Sequence, residues 1–170
     1  MSKMISRVEN ERVLVLERDF NAPRDLVYSM FKEPEHLKFW WGPSGWELPV
    51  CDIDFRPGGR WHYCMKCVDP SQGDFYGMES WGLGVYQAIS EPESILYVDY
   101  FSDAEGNKNA ELPATDVTLS FIDLGGKTRL INRGEYVSAE ALQTVVDMGM
   151  LQGISETWDR LEKRLEELKK

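Results

Sequence analysis

The C-terminal segment, residues 138–168, constrains the fold more than any other part of the sequence. Its apolar residues recur at spacings of three and four, the pattern of a single stripe along one helix. The residues of this stripe are Leu151, Ile154, Trp158, Leu161, Leu165 and Leu168. With Ser138 as the N-cap, one helix over 138–168 would be roughly 45 Å long, so it must lie across a whole sheet. Gly149 and Gly153 within it predict a bend or a close approach.

Seven segments rich in β-branched and aromatic residues precede that helix, and turn residues separate them. They span residues 12–20, 46–55, 60–68, 75–89, 94–103, 116–124 and 127–137. Two short helices, one within 21–34 and one at about 34–39, follow the first strand. This order indicates an α+β fold, with a curved antiparallel sheet of about seven strands around the long helix. We expect a single domain over 1–170, with its core at about 12–168.

The composition is that of a soluble globular protein, with 42% hydrophobic and 28% charged residues. No apolar run approaches the roughly 20 residues of a membrane span, and the polar start lacks the apolar stretch of a signal peptide. We therefore expect a cytoplasmic protein. The net charge of −10, without a basic stripe, argues against nucleic-acid and membrane partners.

The three cysteines, Cys51, Cys64 and Cys67, are expected to be free thiols. Cys64 and Cys67 form a lone CxxC, whereas a structural zinc site needs about four ligands. In a strand, positions i and i+3 also point to opposite faces. We therefore predict no metal site and no cofactor.

The second and third predicted strands form a hairpin around the turn sequence RPGGR. Pairing Arg56 with Gly59 places Asp54 opposite Trp61. Alternation along the third strand puts three bulky residues on one inward face, namely Trp61, Tyr63 and Met65. In this register Asp54 shares that face, where a buried carboxylate must be paired or protonated. Arg56 or Arg60 of the same hairpin is a candidate partner.

The sequence FWWGPSGW at 39–46 places three tryptophans on a turn that glycine and proline keep out of regular structure. Either this turn folds back as a plug in the core, or it forms the mouth of an apolar cavity. A space between sheet and helix is a natural ligand cavity, and buried tryptophan and tyrosine need hydrogen-bond partners that a ligand can supply. The candidate ligand-binding residues are Trp40, Trp41, Trp46, Trp61, Tyr63, Met65, Trp81, Tyr97, Met148 and Leu151.

Catalytic groups are harder to identify, because the sequence holds no Ser-His-Asp order, no HExxH motif and no phosphate loop. The candidates for acid–base chemistry are Asp54, Glu79 and His62. Glu79 lies two residues before Trp81 and can face inward with it, whereas His62 is expected on the opposite face from its strand neighbours.

Several stretches resemble, in order, those of a known family: FNAPRDLVYSMF, FWWGP, DFRPGGRW, YFSDAEGN, DVTLSFIDLGGKTRL and GMLQGISETWDRLEKRL. They cover about residues 12–168 and are similar to the helix-grip fold of the START-like, or SRPBCC, superfamily. Within it the chain resembles the group homologous to the activator of the 90-kDa heat-shock chaperone ATPase. Members of that group often carry Gly-Trp where this chain has Gly153 and Ile154.

The resemblance implies binding of a small hydrophobic or aromatic molecule between the sheet and the C-terminal helix, by a carrier, sensor or sequestering protein. Two alternatives stay open: an enzyme of polyketide cyclase or hydrolase type that acts in the same cavity, and a co-factor of a chaperone ATPase. The superfamily shares no catalytic residue that could be carried over. The chain is expected to be a monomer or a homodimer.

Overall fold

A computed structural model describes residues 3–169, which form eight strands, four α-helices and one 3-10 segment. The strands are β1 Ile5–Glu9, β2 Val13–Phe20, β3 Trp46–Ile53, β4 Arg60–Cys67, β5 Glu79–Ser90, β6 Ser94–Phe101, β7 Thr115–Asp123 and β8 Thr128–Glu135. The helices are α1 Arg24–Ser29, α2 Pro34–Trp40, α3 Ala139–Asp147 and α4 Met150–Leu168, and the 3-10 segment is Pro70–Phe75. The predicted α+β class and helix-grip arrangement are confirmed.

The eight strands form one antiparallel sheet in the order β1-β2-β8-β7-β6-β5-β4-β3. The sequence predicted about seven strands. The additional strand is β1, which lies in the polar start of the chain and pairs with β2 at the sheet edge. Leu14 on β2 and Met65 on β4 border the same cavity, although four strands separate β2 from β4. The sheet therefore curves strongly around the C-terminal helices.

The prediction of one helix over 138–168 is wrong, because the chain forms two helices with a break at Gly149. Ser138 caps α3 as expected, and its side chain accepts the N–H of Ala141. Gly149 has a φ of +86°, a left-handed conformation that glycine adopts more readily than other residues. The predicted bend is thus a complete break, and α4 carries the apolar stripe, with Trp158, Leu161 and Leu165 fully buried.

The β3–β4 hairpin differs by one residue from the predicted register, because Ile53 rather than Asp54 lies opposite Trp61. The carbonyl of Asp54 accepts the N–H of Arg56, so the first strand of the hairpin ends one residue earlier than predicted and the loop is one residue longer. A slip of one residue exchanges the two faces of a strand. Ile53 therefore packs against the core, and Asp54 is exposed to solvent.

The core joins the inner face of the sheet to the first two helices and α4. Tyr28 and Phe31 pack edge-on against Phe121 of β7, with ring centroids 4.9 and 5.2 Å apart. Phe20 of β2 packs against Trp158 of α4 at 6.0 Å. These aromatic contacts fill part of the space under the helices, and the part that stays unfilled borders the junction between α3 and α4.

Candidate functional site

A cavity of about 360 Å³ lies between the inner face of the sheet and the helices α3 and α4. Its volume is within the range of roughly 300–1,000 Å³ that small-molecule sites usually have. Aromatic residues from several parts of the chain border it, among them Phe31, Trp41, Tyr63, Tyr97, Tyr136 and Trp158. Met148, Gly149 and Met150 border it from the helix junction. The site is therefore mainly apolar and partly open, with flexible methionines on one side and rigid rings on the others.

Among the described residues, Asp99 is the one charged residue that borders this cavity. It alternates with Tyr97 on β6, so both side chains face inward. Its Oδ1 atom accepts a hydrogen bond from the Tyr63 hydroxyl at 3.4 Å. Tyr63 stands on β4, and its ring crosses the intervening strand β5 over Gly82. A methyl group on Gly82 would overlap that ring, so the glycine permits the contact.

Burial raises the pKa of the Asp99 carboxyl to about 7, and the hydrogen bond from Tyr63 opposes only part of this rise. Burial also raises the pKa values of Tyr63, Tyr97 and Tyr136, and the neighbouring Asp99 raises them further. These phenols are therefore neutral near pH 7, whereas Asp99 gains and loses a proton there. The cavity therefore holds one carboxyl group whose charge changes near neutral pH.

The aromatic turn, residues 39–46, gives its three tryptophans three different surroundings. Trp40 is fully buried, and its indole N–H donates to the carbonyl of Met30. Trp41 borders the cavity, and its buried Nε1 has no hydrogen-bond partner within residues 3–169. Trp46 lies away from the cavity and donates its indole N–H to the Gln72 side chain at 3.1 Å. Trp40 therefore fills part of the core, whereas Trp41 forms part of the cavity wall.

Helix α4 holds the aromatic turn through Arg160. The Arg160 guanidinium donates hydrogen bonds of 2.7 to 3.3 Å to four backbone carbonyls, those of Phe39, Gly42, Pro43 and Trp46. One turn earlier on α4, Glu156 accepts the N–H of Ser44 at 3.1 Å. One turn later, the Arg164 guanidinium lies 3.8 Å above the Phe39 ring. These three positions share one face of α4 and together fix the turn against the helix.

Six of the ten predicted ligand-binding residues border the cavity, namely Trp41, Tyr63, Met65, Trp81, Tyr97 and Met148. The other four lie elsewhere. Trp40 and Trp61 are buried in the core, and Leu151 packs against its edge. Trp46 contacts the 3-10 segment through Gln72. The cavity is therefore displaced towards the α3–α4 junction from the position that the tryptophan-rich sequence suggested.

The expectation that Trp81 and Glu79 face inward together is wrong. The β4–β5 register pairs Tyr63 with Gly82, so Gly82 takes the inward position. The Trp81 indole lies against the His62 imidazole, with ring centroids 5.2 Å apart, although the residue borders the cavity. Glu79 is exposed and accepts the indole N–H of Trp81. The ring of Tyr63 already fills the inner side here, so no bulky residue fits opposite it.

The two other candidate catalytic residues also lie outside the cavity. Asp54 forms an exposed ion pair with Arg56 at 2.8 Å, so one of its two predicted partners is correct and its predicted inward position is wrong. His62 lies on the face opposite Tyr63, as expected, with Nε2 2.9 Å from the carbonyl oxygen of Asp103. Both border a second, more open hollow instead.

Sequence reasoning missed several residues of the site, among them Asp99 and Arg160. Asp99 could have been found, because alternation from Tyr97, which was predicted to be inward, places it on the same face. Arg160 gives no such signal, because its partners on the aromatic turn lie more than 110 positions away in the sequence. Only the packing of α4 on that turn brings them together.

No group of three or more His, Cys, Asp or Glu residues in the described part of the chain could hold a metal ion. Cys51, Cys64 and Cys67 are free thiols, and burial raises the pKa values of Cys51 and Cys64. Within residues 3–169, no helix has the length and apolar character needed to cross a membrane.

The curved sheet, the C-terminal helix pair and the cavity between them define a helix-grip protein. The sequence model of the family described as Activator of Hsp90 ATPase homolog 1-like protein matches residues 21–166. This match covers most of the chain, which therefore belongs to that family. No curated protein matches the chain at a significant level.

Solved structures show the same architecture. Protein Ms6760 from Mycobacterium smegmatis is 32% identical, with a TM-score of 0.83 over 95% of each chain. A protein from Arthrobacter aurescens is 25% identical, with a TM-score of 0.84 over 96% of this chain and 91% of that chain. An AHSA1 protein from Silicibacter pomeroyi is 23% identical, with a TM-score of 0.68 over 90% of this chain and 96% of that chain, and shows the fold alone.

Proposed function

We propose that the protein binds a small hydrophobic, aromatic molecule between the sheet and the C-terminal helices, as a carrier, a sensor or a sequestering protein. The observation that carries this proposal is the aromatic-walled space of about 360 Å³ that the protein's own side chains leave unfilled. Protein interiors are close-packed, and voids larger than a water molecule are few. A space of this size, with this lining, fits a small aromatic ligand.

The walls also include side chains that can adapt to a ligand. Met65, Met148 and Met150 border the same space, and their flexible thioether chains adapt to ligands of different outline.

The two alternative functions have less support. A cyclase or hydrolase would need an acid or base in the cavity, and Asp54, Glu79 and His62 all lie elsewhere, which leaves Asp99 as the one candidate. The hypothesis of a chaperone ATPase co-factor draws its support from the family description alone. Binding without catalysis therefore remains the function that the geometry of the cavity favours.

The proposal is tested with a neutral aromatic probe, 2-naphthalenemethanol. Isothermal titration calorimetry is expected to show one site per chain, and amide chemical shifts in NMR spectra are expected to move around Tyr97 and Met150. Native mass spectrometry of the purified protein, before and after denaturation, would in addition reveal a co-purified ligand by its mass. Shift changes confined to the protein exterior would contradict the proposal.

A matched pair of variants at Ile154 sharpens the test, because this residue borders the cavity. Ile154→Trp places an indole where the family often has one and fills part of the space, so the affinity for 2-naphthalenemethanol is expected to fall at least tenfold. Ile154→Leu conserves volume and is expected to leave the affinity within about twofold. Equal binding by two folded variants would refute a site in this cavity.

A further inference from the structure

We infer that the ligand of this cavity is an amine, whose ammonium group pairs with the Asp99 carboxylate while its aromatic body contacts the apolar walls. The inference rests on the proposed function and specifies the chemical class of the ligand. Three features of the cavity lead to it: an unmatched acidic group, an incomplete set of hydrogen bonds on that group, and aromatic rings around it.

The first feature is the charge balance of the cavity. Asp99 borders it, and no Lys, Arg or His among the described residues does so. A carboxylate removed from water costs free energy unless a positive charge or several hydrogen-bond donors face it. Residues 3–169 therefore place a negative charge at this cavity and no positive charge beside it, so the ligand would supply the positive charge. An anionic ligand would be repelled at the same position.

The second feature is the set of hydrogen bonds on the carboxylate. An ionised carboxylate has about four acceptor positions. Within the described residues, Asp99 accepts one side-chain hydrogen bond, a long one of 3.4 Å from Tyr63 to Oδ1. Asp99 borders the cavity and is partly exposed, so a ligand in the cavity can reach the carboxylate. A primary ammonium group carries three N–H donors and would complete the set of hydrogen bonds, whereas a hydroxyl group carries one.

The third feature is the aromatic surround. Tyr63, Tyr97 and Tyr136 border the same cavity as Asp99. Aromatic faces attract ammonium groups, and a cage of such rings is a common way for proteins to bind them. The net charge of −10 also favours the approach of a cation over that of an anion.

The experiment compares three probes that share one naphthalene body: 2-naphthylmethylamine, 2-naphthalenemethanol and 2-naphthoate. At pH 8 Asp99 is mostly ionised and the amine is mostly protonated. We expect the wild-type protein to bind the amine at least tenfold more tightly than the alcohol, and the carboxylate more weakly than either. Equal affinities for the amine and the alcohol would overturn the inference and leave the proposed function intact.

Two Asp→Asn variants separate the cavity from the acidic surface. Asp99→Asn keeps the shape and removes the charge, so it is expected to lose the preference for the amine over the alcohol. Asp116→Asn is the matched control, because Asp116 is exposed on β7 and lies next to Thr115, the cross-strand partner of Asp99. It is expected to behave as the wild type. A preference for the amine that survives in Asp99→Asn would refute the pairing.

The wild-type protein gives an independent test that needs no variant. Lowering the pH from 8 to 5 protonates Asp99, and the raised pKa values of Tyr63, Tyr97 and Tyr136 keep these facing phenols neutral throughout. The affinity for the amine is expected to fall at least tenfold, and that for the alcohol to stay constant. An amine affinity that does not change with pH contradicts the inference. If none of the three probes binds, the proposed function fails as well.

Discussion

The strongest single prediction concerns Arg160, which joins α4 to the aromatic turn. Its Nη1 atom donates to the carbonyls of Gly42, Pro43 and Trp46, and its Nη2 atom to that of Phe39. Hydrogen bonds from charged groups contribute about 1.5–3 kcal/mol each, but three that share one nitrogen do not add fully. Because the turn is partly exposed, water can replace some of the lost donors. We therefore expect Arg160→Met to lower the free energy of unfolding by about 3 kcal/mol.

Urea denaturation followed by tryptophan fluorescence measures this loss directly. A decrease of about 3 kcal/mol corresponds to a fall in Tm of roughly 6–12 °C for a chain of this size. Arg164→Met is the matched control, because it makes the same substitution one turn further along α4. Arg164 contributes a cation–π contact to the Phe39 ring, and its loss is expected to cost only about 0.5–1 kcal/mol.

The comparison between the two variants decides whether the reasoning holds. If Arg160→Met costs no more than Arg164→Met, the four carbonyl contacts contribute no net stability and other contacts, such as the buried Trp40, hold the turn. Arg160→Lys is informative as well, because an ammonium group has three donors and lacks the planar fork that spans the turn. It is expected to recover less than half of the loss.

Two further predictions follow from Asp99 and from the glycines of the helix pair. The folded-state pKa of about 7 exceeds the unfolded value near 3.9, so the folded protein holds an extra proton between these values. The wild type should therefore lose stability relative to Asp99→Asn as the pH rises from about 4 to 7, by at most about 4 kcal/mol, and a constant difference across urea titrations would contradict this. Thermal denaturation should show Gly153→Ala more stable by about 1 kcal/mol and Gly149→Ala less stable by about 1–2 kcal/mol. Neither added methyl group meets an atom within 4 Å, so effects of the same sign would contradict the backbone argument.

The parts of the fold with a buried face could be predicted from the sequence. The apolar stripe of α4 and the alternation in β4 both reflect burial, and the structure shows both faces in the core. Strand β1 gave no such signal, because its residues are exposed or partly exposed, with Ile5 at 63% and Val8 at 55%. It joins the sheet by backbone hydrogen bonds to β2, which leave no pattern in the side chains.

The site could be predicted only in part, and the errors have a common physical cause. Sequence reasoning placed bulky residues inward on β4, β5 and β6, which holds for Tyr63 and Tyr97 and fails for Trp81. On β5 the inward position belongs to Gly82, because the Tyr63 ring occupies the volume that a side chain would need. The register between two neighbouring strands decides which strand contributes the ring and which strand contributes the glycine. That register depends on loops and contacts distant in sequence.

The contacts of the aromatic turn also decide how it relates to the cavity. Moving the turn away would break the hydrogen bonds of Arg160 and withdraw the buried Trp40 from the core. At the α3–α4 junction, in contrast, Met148 is 57% exposed, and a Cβ atom added at Gly149 would meet no atom within 4 Å. The aromatic segment is therefore the more firmly held wall of the cavity, and the helix junction is the less tightly packed one.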